Sequence, residues 1–257
     1  MKSLADFYSG LHATNRNYSA GTYHFKSLFS SRVLDQWLQA RIGRPFRILD
    51  VGCGKGLFMR EFVKTLKSRW KITPTRITGL DLVRSPEDLF AEISDKFEFI
   101  QHDTDGNPLP FPGNSFDFIC CNHVLEHVFE TEKLVKEYQR VIAPDGLCLI
   151  SVPNLAAWVN RVGLIFGIQP LGTEVGTESI TYGFRPERFH ARLSQFKPSG
   201  HIRDFTPRAL QDLTTACGFR KVAWWPQSEG FIARLGTFAG RNIGILLQPT
   251  DSQSKSG

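Results

Sequence analysis

The run Ile48-Leu49-Asp50-Val51-Gly52-Cys53-Gly54-Lys55-Gly56 leads from apolar residues into three alternating glycines. Glycines spaced in this way let a backbone approach a ligand closely, and amides at the start of a following helix can meet polar groups. Asp50, at the end of the apolar run, is placed to neutralise a cationic group. Together these features suit a nucleoside that carries a charged amino-acid arm. A dinucleotide fingerprint requires a third glycine where Leu57 stands, and no G-x-x-x-x-G-K-[ST] phosphate loop is present. Asp81 closes the next apolar run, Arg76-Ile-Thr-Gly-Leu-Asp-Leu82, 25 residues beyond Gly56. An acid there accepts both hydroxyls of a ribose, or else caps a helix. Asp103 and Thr104 follow Phe97-Glu-Phe-Ile-Gln-His102, where Asp103 meets an adenine amino group or serves as a turn residue. Beyond Phe116-Asp-Phe-Ile-Cys-Cys-Asn122 come His123, Glu126 and His127, which a helix would place on one face.

These residues need strands and helices to hold them. Residues 47–52, 76–82, 97–103, 116–122 and 147–153 read as buried strands. Between them, residues 56–70 and 131–142 have helical periodicity, and Leu89 and Phe90 mark a shorter helix. Pro144-Asp145-Gly146 is expected to turn the chain from the 131–142 helix into the next strand. Alternation of this kind favours a parallel sheet covered by helices on both faces. A helical leader precedes it, with Phe25, Leu28, Phe29, Val33, Leu34, Trp37 and Leu38 at helical spacing. Residues 154–204 interrupt the rhythm, are rich in glycine and aromatics, and are expected to form a lid. The alternation resumes with a helix from Thr206-Pro207 to Cys217, a strand at 219–225, an apolar helix near 230–240 and a last strand at 242–248.

The set ILDVGCGKG, GLDL, HDTDGNPLPFPGNSFDFICCNHVLEH and VIAPDGLCLISVPN resembles the motifs of class I S-adenosylmethionine-dependent methyltransferases of the ubiquinone-biosynthesis and MetW-like type. The likeness is close over residues 46–154 and extends to about 226. The resemblance implies a seven-stranded sheet with an antiparallel last strand; with the alternation and the break at 154–204, the expected fold is α/β and Rossmann-like, a mostly parallel sheet with helices on both faces and a lid insertion that departs from MetW-like proteins. The expected organisation is residues 1–44 as leader, 45–250 as methyltransferase domain with the lid at 154–204, and 251–257 as a disordered tail. S-adenosyl-L-methionine is the implied cofactor. Asp50, Gly52, Cys53, Gly54 and Gly56 would surround its methionine arm, Asp81 and Leu82 its ribose, and Asp103 and Thr104 its adenine. Asn122 would lie beside the methyl group. The segment from Pro153-Asn154 through Trp158 to Arg161 resembles the P-N-x-x-x-W-x-x-R pattern of MetW-like proteins in particular.

Methyl transfer displaces an already activated sulfonium, so the protein mainly aligns the nucleophile and excludes water. A hydroxyl acceptor would profit from a general base, and His123 and His127 are the candidate catalytic residues. The His123-x-x-Glu126-His127 order is similar to the E-x-x-E-H arrangement with which some relatives hold a divalent metal, except that a histidine replaces the first acid. Such endings also occur without metal, where they fix the loop, and no metal ligand is assigned from sequence. The lid brings Trp158, Phe166, Tyr182, Phe184 and Phe189 together with Arg161, Arg185, Arg188, Arg192 and Arg203. They suit either an acidic or flat acceptor, or a small core with a solvated basic face.

The 257 residues, 41% of them hydrophobic, suffice for one large core with additions. The net charge of +6 is scattered rather than gathered in a block, and no RNA-binding module is evident. A small-molecule acceptor is therefore preferred to RNA, with a catalytically idle cofactor-binding partner as a third class. The five cysteines form no C-x-x-C pair, which argues against a disulfide framework or zinc cluster and for a reducing, cytoplasmic setting. No apolar window is long enough to span a membrane.

Overall fold

Successive residues of the central strands belong to opposite faces of one sheet, and each face buries its own core. Ile48, Phe118, Cys120, Leu147 and Leu149 face one way, while Leu49, Val51, Ile119, Cys121, Cys148 and Ile150 face the other. The computed structural model describes residues 25–85, 88–170, 172–180, 182–183, 198–227 and 239–250. The sheet has seven strands: β1 (Arg47–Val51), β2 (Arg76–Asp81), β3 (Phe97–Gln101), β4 (Phe116–Asn122), β5 (Ile142–Pro153), β6 (Phe219–Gln227) and β7 (Asn242–Pro249). Their order is β3-β2-β1-β4-β5-β7-β6. All pairings are parallel except those of β7, which runs antiparallel to both β5 and β6. The seven-stranded, mostly parallel sheet with its antiparallel last strand is as the sequence predicts.

The first face is covered by α1 (Phe25–Phe29), α2 (Arg32–Gln39), α3 (Leu57–Thr65) and the short α4 (Phe90–Ile93). Leu28, Leu34 and Leu38 of the leader join Met59, Phe62, Phe90 and Trp225 in its core. Ser31 caps α2 by accepting the Leu34 amide. The opposite face is covered by α5 (Thr131–Val141) and α7 (Pro207–Ala216), through Leu134, Val135, Tyr138 and Leu210. Thr206 accepts the Ala209 amide, and Pro207 opens the helix where its missing N–H costs nothing. Between β5 and α7 lies α6 (Trp158–Ile165).

Two elements differ from expectation. The helix that starts at Leu57 changes to a π turn over Leu66–Trp70 and stops at Lys71, whose φ of 58° is left-handed. Residues 144–146 do not separate helix from strand, because β5 begins directly at Ile142. Instead the register jumps from Phe116↔Ile142 to Phe118↔Leu147, leaving Pro144-Asp145-Gly146 as an excursion within the strand. The leader pins it: Trp37 Nε1 and Arg41 both donate to the Asp145 carbonyl, at 2.8 and 2.6 Å. The apolar helix expected near 230–240 falls almost wholly outside the described residues, as do the tail at 251–257 and Phe184, Arg185, Arg188, Phe189 and Arg192 of the 154–204 segment.

Candidate active site

The strand order reverses between β1 and β4, the place where open α/β sheets leave a crevice at their carboxyl ends. Every sequence-predicted site residue lies at that edge, at the end of β1, β2, β3 or β4. The turn after β1 is laced to the end of β2. Gly52 and Cys53 both donate their amides to the Leu80 carbonyl, at 2.8 and 3.0 Å. The Gly54 amide donates to Asp81 Oδ2 at 2.8 Å. Gly52, Gly54 and Gly56 all have positive φ, and Gly56 is the left-handed residue immediately before α3. Cys53 buries its side chain against Gly79, so only its backbone belongs to the turn.

Asp50 is 2% exposed, and its Oδ1 accepts a hydrogen bond from the Cys120 thiol at 3.2 Å. Burial pushes its carboxyl up to about 7; the thiol bond opposes this and the Asp81 charge adds to it. A buried acid poised in this range is ready to ionise when a cation arrives. Asp103 is exposed and accepts the Asp105 amide at 3.0 Å, a turn-type hydrogen bond that leaves its second carboxylate oxygen available. The His102 amide donates to the Asp81 carbonyl at 2.9 Å, which sets Asp103 and Thr104 beside the β2 end. Leu82 is half-buried.

At the end of β4 three polar atoms are buried without hydrogen-bond partners: Asn122 Nδ2, His123 Nε2 and Glu126 Oε2. The other side of Asn122 is fixed, since its Oδ1 accepts from Ser151 at 2.8 Å. His123 has a left-handed φ of 57°, a conformation in which histidine is enriched among the few non-glycine residues that adopt it. Its Nδ1 lies 3.0 Å from Glu126 Oε1. Burial alone would raise the fully buried Glu126 carboxyl, but the His123 hydrogen bond and the charges of His123 and His127 outweigh burial and hold it below its usual range. No helix runs through 123–127: only Leu125–His127 forms a single 3-10 turn, and the left-handed His123 lies before it.

His127 points instead to a residue that sequence reasoning missed. Its Nδ1 lies 3.0 Å from the Gly200 carbonyl, and its ring packs 4.9 Å from that of His201. Burial lowers the His127 pKa, against the pull of Glu126. Among the described residues, Glu126, His127 and His201 form the group whose possible ligand atoms converge, all within 4.8 Å of one another. His201 carried no local signal, because it stands alone 74 residues beyond His127.

A family model described as a methyltransferase domain matches residues 20–223. The chain belongs to the methyltransferase-domain family. The class I assignment drawn from the motifs stands, together with the S-adenosylmethionine cofactor class that defines it. A sterol 24-C-methyltransferase, ERG6B of Gibberella zeae, is 35% identical over 121 residues, 44% of this chain and 30% of that protein. A ubiquinone biosynthesis O-methyltransferase of Vibrio cholerae is 25% identical over 170 residues, 65% of this chain and 61% of that protein. The match thus spans less than two thirds of either relative. The fold is that of the Burkholderia thailandensis 1,6-didemethyltoxoflavin-N1-methyltransferase solved with 1,6-didemethyltoxoflavin and S-adenosylhomocysteine, at a TM-score of 0.51 and 18% identity, covering 98% of this chain and 92% of that one.

Proposed function

We propose that the protein binds S-adenosylmethionine in the crevice between the ends of β1, β2 and β4 and transfers its methyl group to a small molecule. The observation that carries this reading is Asp81 Oδ2 held on the Gly54 amide, which sets an acid of the ribose-binding kind directly against the glycine turn. In the proposed arrangement Asp50 and the turn of Gly52, Cys53, Gly54 and Gly56 take the methionine arm, with Cys53 contributing backbone only. Asp81 and Leu82 take the ribose, and Asp103 and Thr104 the adenine. Asn122 and His123 stand on the methyl side, where their unpartnered buried atoms need an incoming polar partner. His127 stays on the catalytic side of this reading as the residue that positions the edge of the crevice against Gly200 and His201.

The transfer forms a bond from the acceptor atom to the methyl carbon as the sulfur–carbon bond breaks, leaving S-adenosylhomocysteine. The named relatives are a sterol methyltransferase and a ubiquinone-biosynthesis methyltransferase, and the solved neighbour is a 1,6-didemethyltoxoflavin methyltransferase, which supports a small-molecule acceptor. Among the described residues no helix is long and apolar enough to cross a membrane, and the five buried free cysteines support a reducing compartment.

Calorimetry with S-adenosylmethionine, S-adenosylhomocysteine and a nicotinamide dinucleotide tests the site. The first two should bind and the third should not. Asp81→Ala should weaken the first two by about 30-fold through loss of charge-assisted hydrogen bonds. Unchanged affinity in a folded variant removes the ribose role. Methyl incorporation from labelled cofactor across metabolite extracts then tests turnover; cofactor binding with no acceptor in either metabolite or RNA pools would favour an idle binding partner.

A further inference from the structure

We infer that Cys120 is a positioning residue for the cofactor acid Asp50: its thiol holds Oδ1 across the β1–β4 pairing and leaves Oδ2 to meet the ammonium group of the ligand. The inference rests on the cofactor reading proposed above and adds to it a fully buried residue of the neighbouring strand. The parallel register sets Asp50 opposite Cys120, and the pleat turns both side chains to the face that carries Ile48 and Phe118. Cys120 Sγ lies 3.2 Å from Asp50 Oδ1 and 3.6 Å from the Leu49 carbonyl oxygen. One thiol hydrogen serves one acceptor at a time, and the shorter contact is to the acid. No donor among the described residues reaches Oδ2.

Packing alone does not ask for a donor at this place. The strand neighbour on the other side is Leu149, and Ile48 and Phe118 belong to the same apolar core, so a small aliphatic side chain would fill the space of Cys120. The acid is what needs the thiol, because a carboxylate that is 2% exposed is costly without a donor. Asp81, at the end of β2, adds a like charge to Asp50. Cys53 in the glycine turn and Cys121 beside Cys120 are thiols that burial keeps protonated. Burial and the Asp50 charge keep Cys120 protonated as well, so it acts as a donor and takes no part in proton exchange.

Cofactor binding then involves one proton. The protonated form of Asp50 releases its proton to solvent as the ammonium group arrives, and the carboxylate holds the ammonium through Oδ2 and the thiol through Oδ1. A donor that stays on Oδ1 favours the carboxylate over the acid and fixes which oxygen turns to the ligand. Without that donor, Asp50 keeps its proton to higher pH and meets the cation less well at neutrality.

The test measures S-adenosylmethionine affinity of the full chain by calorimetry between roughly pH 6 and 9, with Cys120→Ala and Cys120→Ser beside the parent. Cys120→Ala should move the midpoint of the affinity profile up by about one pH unit, weakening binding by about fivefold at pH 7 and hardly at pH 9. Cys120→Ser keeps a donor and should return the midpoint most of the way to that of the parent. A merely structural cysteine would lower the melting temperature on substitution and leave the midpoint where it is. Infrared spectra taken without cofactor read the pair itself. The S–H stretching band that Cys120→Ser removes should, in the parent, move to lower frequency as pH rises through about 7 and the acceptor becomes a carboxylate. A Cys120→Ala profile that matches the parent, a Cys120→Ser profile no nearer the parent than that of Cys120→Ala, or a band that does not move would overturn the role of Cys120. A parent that binds no S-adenosylmethionine while the band still moves would overturn the proposed function instead.

Discussion

Asp50 is the residue whose chemistry the fold alters most plainly. Its carboxyl is raised to about 7 by burial, so between the ordinary carboxylate range and about 7 the folded chain holds a proton that the unfolded chain has released. Its contribution to stability is therefore most favourable at low pH and falls as pH rises through that window. Asp50→Asn should flatten the dependence of melting temperature on pH between about 4 and 7, the window this shift defines. A cationic ligand arm reverses the preference by favouring the carboxylate, so S-adenosylmethionine affinity should rise by about fivefold from pH 6 to 7, with proton release visible as a buffer-dependent binding enthalpy. Asp50→Asn should lose both the slope and the release; a variant that keeps them would shift the titration to another group. The strand-end positions of Asp50 and Asp81 were legible because each closes an apolar run, whereas the approach of Asp81 to the glycine turn appears only in the Gly54 hydrogen bond. His201 was not, because its partners are brought together by backbone pairing of Ile202 and Arg203 with Glu126, which leaves no trace in spacing.

The turn between β1 and α3 shows how an element is specified by what crowds it. A Cβ on Gly52, already at a φ of +70°, would come within 2.2 Å of Val124 Cγ2, in the loop that follows β4. The first glycine therefore serves the packing of two crevice loops as much as the approach of a ligand. Gly52→Ala should destabilise the fold by about 3 kcal/mol, from left-handed strain together with overpacking. Adding Val124→Ala should restore the packing share but not the backbone share. Thermal melts of the single and double variants check this, and a single variant with the melting temperature of the parent would contradict it. Periodicity gave the order of strands and helices because both faces of the sheet are buried. It could not give the excursion at residues 144–146, which depends on Trp37 and Arg41 reaching the Asp145 carbonyl from another part of the chain.

At the scale of the whole molecule, residues 25–44 of the leader are part of the core rather than an attachment to it. Leu28, Leu34 and Leu38 are fully buried, against the face that also holds Phe46, Phe62, Phe118 and Trp225. Its polar contacts reach distant strands. Trp225 donates to Ser27, and Ser27 in turn donates to the Pro226 carbonyl, at 3.0 and 2.9 Å, tying α1 to β6. Buried Arg41 contacts the Asp117 carboxylate at 3.8 Å, and the Arg47 guanidinium and amide hold that same carboxylate at 3.0 and 2.8 Å, joining the leader's end to β1 and β4. Removing residues 1–44 uncovers three leucine-sized cavities' worth of apolar surface at one stroke and leaves Asp117 short of one cationic neighbour. At about 2–5 kcal/mol for each buried leucine truncated, the loss is comparable with the whole stability of a domain of this kind. The shortened chain is therefore expected to lose its cooperative melt and near-ultraviolet dichroism and to bind a hydrophobic dye. Leu34→Ala with Leu38→Ala in the full chain is the milder form of the same change, and should lower the melting temperature while leaving the cofactor stoichiometry at one. A truncated chain that melts cooperatively near the parent temperature and still binds S-adenosylmethionine would show that the sheet's first face can close without the leader.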